Sequence, residues 1–519
     1  MKNMMSCAKI SERQWATLVF MLLFSTFLLT HDITEKWVGN RDSCGAFYGV
    51  IAKHYIQYGY VGTRLGMVMD SHPDGTYDYY LSHPPLFPIL ISLAYRVFGV
   101  HEWSTRLIPI LFSLGSALLL YLLAYRIRGP LYALIAICLL IPMPMFAFFG
   151  RLPSFEPLVA FFLLASLICY QRYLSHGSNR TSYIGMVFFL LLTCLIDWPG
   201  YFLTVIILLH FWFVRKKITL PVLILLIVPV CTALLYIYHV VLLTGPEGLH
   251  RIFELFLFRS GLSSFAGHPD SLSPSIVASL FDFISLHLYR SILYFSPGII
   301  LFSLAFVVSS YRKRDLKDDV IWCLFFTALL NIVVFANASV HHEYWNFYFS
   351  YPLALAASHG VQLFWSSGSN LKKCISAVLI VLFITQSMWL LERRHDQNDG
   401  YPLDIPLANL LKENLPPGTR AGSSLMLIPH FALYYADVSI MPAVDTKDKL
   451  LSLTNNGSYG YFITASAEAI RSHIPYYLNF PSEEIEKLGA LPASSDLFQY
   501  LKETYPSVER SGFVIFRLN

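Results

Sequence analysis

Apolar runs of 16 to 27 residues recur along the first three quarters of the chain, most of them closed by short polar links. Runs of this length match the roughly 20 residues an α-helix needs to cross the hydrocarbon of a bilayer. The pattern predicts eleven spans, at about 15–30, 105–125, 131–149, 157–174, 182–197, 199–214, 218–244, 287–310, 319–337, 347–364 and 374–391. Lys2, Lys9 and Arg13 precede the first run. Further basic clusters flank later ones: Arg126 and Arg128, Arg172 and Arg180, Arg215 to Lys217, Arg312 to Lys317, and Lys372 with Lys373. Cytoplasmic loops carry the excess of lysine and arginine, so these links are placed inside, with the N-terminus retained in the cytoplasm as an anchor. An odd number of spans then puts everything after Glu392 outside.

One apolar run is too short to cross. Pro85 to Phe98 has about 14 residues, and counting it as a span would invert every later loop. It is expected to lie in the outer interface, within an external loop from His31 to Ser104, with Pro84 and Pro85 suited to its first turn. A second external segment, 245–286, pairs an amphipathic piece, Leu249 to Phe258, with a Gly/Ser/Pro-rich stretch containing Gly261, Gly267 and Pro269. That stretch is expected to form a cover over the site. Residues 392–519 change character. Strand-like runs at Ser424–Ile428, Tyr459–Thr464 and Phe513–Arg517 alternate with helical patterns such as Glu483–Leu488, which predicts a small extracytoplasmic α/β domain. The predicted division is therefore a transmembrane domain over 1–391 and an α/β domain over 392–519.

Composition agrees. The 519 residues are 55% apolar and only 13% charged, against about 25% charged in an ordinary soluble domain, which excludes a soluble enzyme. Of the 70 charged residues, 26 fall after 391. A net charge of +4 gives no basis for nucleic-acid binding, and the eight cysteines sit in or beside apolar runs rather than in a disulfide framework.

The remaining polar residues are not scattered. Asp42, His83, Arg106, Arg151, Glu156, Asp197, His341, His342 and Glu343 map to external loops or to the outer ends of spans, while the middles of the spans carry almost no ionisable groups. A transporter needs polar groups near the bilayer midplane, so this distribution argues against a flippase or transporter and for chemistry at the outer surface. Each residue alone also has a structural use. Asp42 suits a helix N-cap. Arg106 and Arg151 suit interfacial snorkelling, and Tyr344 and Trp345 an aromatic belt. The paired His341 and His342 are no metal-ligand set by themselves, and no cofactor is expected.

Taken in order, the pieces resemble a known family. An acidic residue in the first external loop (Asp42) is followed by a (Lys/His)-Pro-Pro-Leu element (His83 to Leu86). Phe-Gly-x-x-Glu-x-x-x-Arg follows, here Phe98 to Arg106. This is similar to the C-type membrane glycosyltransferases, in the branch of the protein O-mannosyltransferases and lipid A aminoarabinose transferases. Arg151 to Glu156, Asp197-Trp198-Pro199-Gly200 and His341 to Pro352 resemble later family elements. Many relatives carry a second acid directly after the loop aspartate, where this chain has Ser43 and Cys44. Glu35 is the understudy for Asp42.

The resemblance implies an inverting transfer of a sugar from a polyprenyl phosphate, undecaprenyl rather than dolichyl, to a hydroxyl outside the cytoplasmic membrane. The acceptor would be a lipid such as lipid A, a polysaccharide or a protein. It implies Asp42 as catalytic base and a substrate-binding set of His83, Arg106, Arg151, Glu156, His341, His342 and Tyr344. A catalytically inactive scaffold relative is the alternative.

Overall fold

In a computed structural model of the chain, the structure describes residues 12–37, 39–175, 179–262, 280–312, 315, 317–396, 404–425, 429–441, 444, 446–455, 459–465, 496–510 and 513–518. The chain divides into two compact units. One comprises Met1–Ile33, Leu81–Phe87 and Arg106–Asp396, the other Thr34–Tyr80, Pro88–Thr105 and Gln397–Asn519.

The first unit is helical. Among the described residues, five helices are long and apolar enough to cross a bilayer: Glu12–Thr30, Glu102–Arg128, Glu156–Ser175, Leu220–Thr244 (with a break near Leu225) and Asn370–Arg393. The other predicted spans correspond to shorter or interrupted helices. The run expected at 131–149 forms Pro130–Leu140 and then Pro144–Phe149. Pro142 and Pro144 interrupt it, because neither offers an N–H to the preceding turn. The run expected as one span at 287–310 is two helices, Leu280–Phe295 and Pro297–Arg312, bent by 107°. Ser296 at the corner has φ +73. A residue before proline is steered away from the helical region, so the chain turns there and Pro297 opens the next helix.

In the second unit, the run from Pro85 folds as the helix Leu86–Phe98. Ile91, Ala94 and Tyr95 are buried on one face, and Leu93, Val97 and Phe98 are exposed on the other. The helix Gly39–Gln57 carries Gly45 and Gly49 on one face. A Cβ at Gly45 would lie 2.3 Å from the Trp37 ring, and one at Gly49 would lie 2.6 Å from the Tyr434 ring. The absent side chains let the C-terminal helix Pro429–Ala436 lie close against this one.

The C-terminal residues form a mixed sheet of β3 (Arg420–Ser423), β4 (Ser439–Met441), β5 (Tyr461–Ala465), β6 (Ser507–Arg510) and β7 (Phe513–Arg517); β1 (Val68–Ser71) and β2 (Tyr77–Tyr79) form a separate antiparallel hairpin. The sheet order is β4-β3-β5-β7-β6, with β3 parallel to both β4 and β5 and the remaining pairs antiparallel. Successive residues of β7 alternate between two cores. Phe513 and Ile515 join Leu411 and Ile463, whereas Val514 and Phe516 join Leu450 and Leu501. A strand covered on both faces reads as a continuous apolar run, as Phe513–Phe516 does. The strand expected at Ser424–Ile428 lies earlier, ending at Ser423, while 426–428 and the helical pattern at Glu483–Leu488 are outside the described residues.

Candidate active site

Three polar residues of the first unit owe their placement to proline. His83 precedes Pro84-Pro85 and the helix from Leu86. Glu156 starts the helix Glu156–Ser175 with Pro157 beside it, and Asp197 stands two residues before Pro199, which opens Pro199–Arg215. Proline is favoured in a first helical turn, where its missing N–H costs nothing. Each side chain is therefore set at a helix N-terminus, whose dipole favours a carboxylate.

These residues meet around the His83 ring. His83 and Asp197 are both about 7% exposed, and Nδ1 of His83 stands 3.1 Å from Oδ1 of Asp197. On the other side of the ring, Nη1 of Arg259 lies 3.5 Å from Nε2. The ring rests on Phe155 at 4.3 Å between centroids, and the Tyr236 hydroxyl donates to the carbonyls of Leu81 and His83, which fixes the backbone. Burial holds the His83 pKa below the ordinary imidazole value. Asp197 opposes that shift and the Arg259 charge reinforces it.

Nearby, Oε2 of Glu156 and the hydroxyl of Tyr348 are buried without a hydrogen-bond partner among the described residues, and Oδ1 of Asp197 makes only its ion-pair contact with His83. Tyr348 lies in the electrostatic field of both Glu156 and Asp197. A buried polar atom without a partner costs about 1–3 kcal/mol. Such atoms mark a place where a ligand or water completes the bonding.

A second wall comes from 336–349. Arg290 donates through both terminal nitrogens to the carbonyls of Ser339 and Val340, at 2.6 Å each, and so ends the helix Ala336–His341. His287 bridges Ser339 and Asn346, and the Tyr294 hydroxyl donates to Glu343. Held in this way, His342 stacks on Tyr344 with centroids 5.1 Å apart. His342 is exposed to water, though many protein atoms crowd around its ring. Burial, with Arg259, His341, Arg290 and His83 as like charges, pushes its pKa down. His341, at the end of its helix, is exposed. Arginine and histidine thus converge from three segments, around 83, 259 and 290–342.

The two other arginines are engaged elsewhere. Arg106, 1% exposed, donates to the carbonyl of Ile33 at 2.9 Å, and Arg151 donates to those of His31 and Asp32. Together they hold the turn that ends the first helix, where Asp32 has φ +48. Asp42 lies in the first turn of Gly39–Gln57, past the N-cap, and its side chain is outside the described residues. Glu35 is half-buried in the segment before that helix. Most of the segment expected as a cover, including Gly267 and Pro269, is likewise outside the described residues.

Sequence reasoning passed over Arg259 and Arg290. Arg259 closes the amphipathic helix Glu247–Arg259, one residue beyond the pattern read as Leu249 to Phe258. Arg290 sits at the outer end of a run read as a plain span. A charged residue at such a position is itself the signal.

Comparison with known proteins fits this arrangement. The profile of the dolichyl-phosphate-mannose-protein mannosyltransferase family matches residues 82–241. A structure of ArnT from Cupriavidus metallidurans bound to undecaprenyl phosphate superposes with a TM-score of 0.63 at 14% identity, covering 98% of this chain and 99% of that one. The chain shares the fold of that structure. The archaeal oligosaccharyltransferase AglB from Archaeoglobus fulgidus, in complex with an inhibitory peptide and a dolichol-phosphate, matches at 0.59 and 14% identity, over 98% of this chain and 74% of that one. No curated protein sequence matches the chain. The family profile spans His83, Arg106, Arg151, Glu156 and Asp197. The structural match to ArnT extends over the C-terminal sheet as well.

Proposed function

We propose that the protein transfers a sugar, with inversion, from a polyprenyl-phosphate donor to an acceptor hydroxyl at the outer face of the cytoplasmic membrane. The observation that carries this reading is the convergence of His83, Arg259 and His342 beside the unpartnered Glu156 and Tyr348, in a chain that shares the fold of ArnT. Arg259 and His83 receive the lipid phosphate, and Tyr344 and His342 line its approach. Arginine suits this role because its fork of N–H donors matches phosphate oxygens and its charge is permanent. Glu156 and Tyr348 face sugar hydroxyls, which satisfy both.

The reaction makes few demands beyond this. Phosphate is a weak base, so its departure needs charge stabilisation rather than a general acid. The acceptor hydroxyl must lose its proton as it attacks the anomeric carbon, and Asp42 is assigned as the base that takes it. Arg106 and Arg151, by holding the turn at His31–Ile33, anchor the start of the segment that leads to Asp42. Undecaprenyl phosphate is the assigned carrier, and a lipid, polysaccharide or protein the acceptor. Residues 392–519 are assigned to the extracytoplasmic side; the expected boundary at 391 is replaced by a unit that also takes in 34–80 and 88–105.

The test is sugar release from a panel of polyprenyl-phosphate sugars by purified protein. Wild type is expected to turn over at least one donor, and Asp42→Asn to lose about 10²–10⁴-fold in rate, the usual worth of a general base. Equal turnover by the variant would move the base to Glu35. Donor binding by wild type without turnover under any acceptor would favour a scaffold.

A further inference from the structure

His83 stands where the family resemblance admits lysine or histidine, and its surroundings give the choice a consequence. Arginine has no acceptor and does not lose its proton. Nε2 of His83, 3.5 Å from Arg259, therefore presents a lone pair to it, and a neutral ring then carries its hydrogen on Nδ1, which stands at ion-pair distance, 3.1 Å, from Asp197 without the alignment of a hydrogen bond. With Arg259 as the donor, a neutral imidazole takes the Nδ1–H tautomer. Among the described residues, the charged or titratable groups nearby include His342, with Arg290 and His341 beyond, and Glu156 next to Asp197.

An anion changes this balance. A phosphate bound by Arg259 neutralises the guanidinium and draws it from Nε2. That nitrogen then faces negative charge, with Asp197 already placed to stabilise an imidazolium through Nδ1. We propose that His83 takes up one proton from solvent when a lipid phosphate binds, gaining a second N–H donor for the anion, so that affinity for the lipid falls as pH rises. Asp197 acts as a positioning residue that makes the protonated state accessible. The inference rests on the polyprenyl-phosphate reading of this site and deepens it. A lysine at position 83 would hold its charge throughout and leave affinity insensitive to pH.

The probe is methyl undecaprenyl phosphate, a diester whose single charge stays constant between about pH 5.5 and 8.5, so the ligand itself does not titrate. Its binding to the full-length protein in detergent would be measured calorimetrically in buffers of different ionisation enthalpy. The expected result is affinity that weakens with pH toward about tenfold per unit, the limit for one linked proton, with net uptake approaching one. His83→Lys is expected to bind with no pH dependence, His342→Gln to keep the wild-type slope, and Asp197→Asn to shift the dependence to lower pH. A pH-independent wild type, or a slope that persists in His83→Lys, would overturn proton uptake by His83 while leaving the donor assignment standing. No binding by wild type at any pH would overturn both.

Discussion

Two buried polar networks, one in each unit, are built from similar residues and differ in how they are closed. In the first unit, His83, Asp197 and Arg259 form a chain beside a carboxylate oxygen and a phenol with no partner among the described residues. In the second, the Tyr435 hydroxyl donates to Glu102 at 2.8 Å and accepts from the backbone N–H of Trp37 at 2.7 Å. There too, Asp70 accepts from Arg420 and Ser439, and His72 joins Arg420 to Asp78. The second network commits most of its donors and acceptors to the fold, Arg420 Nε excepted, whereas the first leaves a carboxylate oxygen and a phenol uncommitted among the described residues. A half-satisfied polar network weakens a fold unless something completes it. The contrast therefore separates residues kept for a ligand from residues kept for stability.

Removing a charge from each network should give opposite signatures. Arg259→Ala is expected to lower turnover by about 10²–10³-fold, the loss typical of one donor to developing charge, with little change in thermal midpoint. Asp70→Ala should do the reverse. It leaves Arg420, 11% exposed, without its carboxylate and should cost about 3–5 kcal/mol of stability, read as a lower midpoint for loss of the fold. If both variants lose stability alike, the comparison fails.

Smaller changes sharpen it. Gly49→Ala places a methyl 2.6 Å from Tyr434 and 2.9 Å from the Tyr95 hydroxyl, so it should destabilise by about 1–3 kcal/mol despite alanine's better helix propensity. Tyr435→Phe leaves Glu102 and the Trp37 N–H each short of a partner and should cost about 1–3 kcal/mol. Glu156→Gln exchanges a buried carboxyl oxygen for an amide of the same shape and should change stability by less than about 1.5 kcal/mol, while turnover falls.

Acid should act through the first network. The folded-state pKa of His83 lies below its unfolded value near 6.5, so the unfolded chain binds more protons below that pH. Stability of the empty protein is then intact above about pH 6.5 and declines as pH falls through the lowered value. His342 contributes with the same sign. Lipid phosphate, by favouring the proton on His83, should reduce this acid sensitivity, which parallel melts with and without lipid would detect.

Much of this was legible in the chain. The apolar runs gave the helices, and the short run at Pro85–Phe98 was recognisable as too short to cross. His83, Glu156 and Asp197 stand out in the sequence as polar residues at the outer ends of apolar runs, and Pro84 and Pro85 mark the helix start after His83. Other features escaped. The 107° corner at Ser296 arises from a single Ser-Pro step inside an unbroken apolar pattern, which hydropathy does not register. Arg259 and Arg290 looked like ordinary helix ends, since convergence in space leaves no periodic trace. The hydrogen bonds of Arg106 and Arg151 to the carbonyls of residues 31–33 also leave no trace in the pattern, because an arginine next to a membrane looks the same whether it holds a turn or binds substrate.

The central claim is that the recess at His83 and Arg259 holds a lipid phosphate. The most direct measurement is the affinity of purified wild type, Arg259→Ala and Asp70→Ala for undecaprenyl phosphate, at a temperature where all three are folded. The account predicts tight binding by wild type and Asp70→Ala and a loss of about 10²-fold or more in Arg259→Ala. Equal affinity in all three would contradict it.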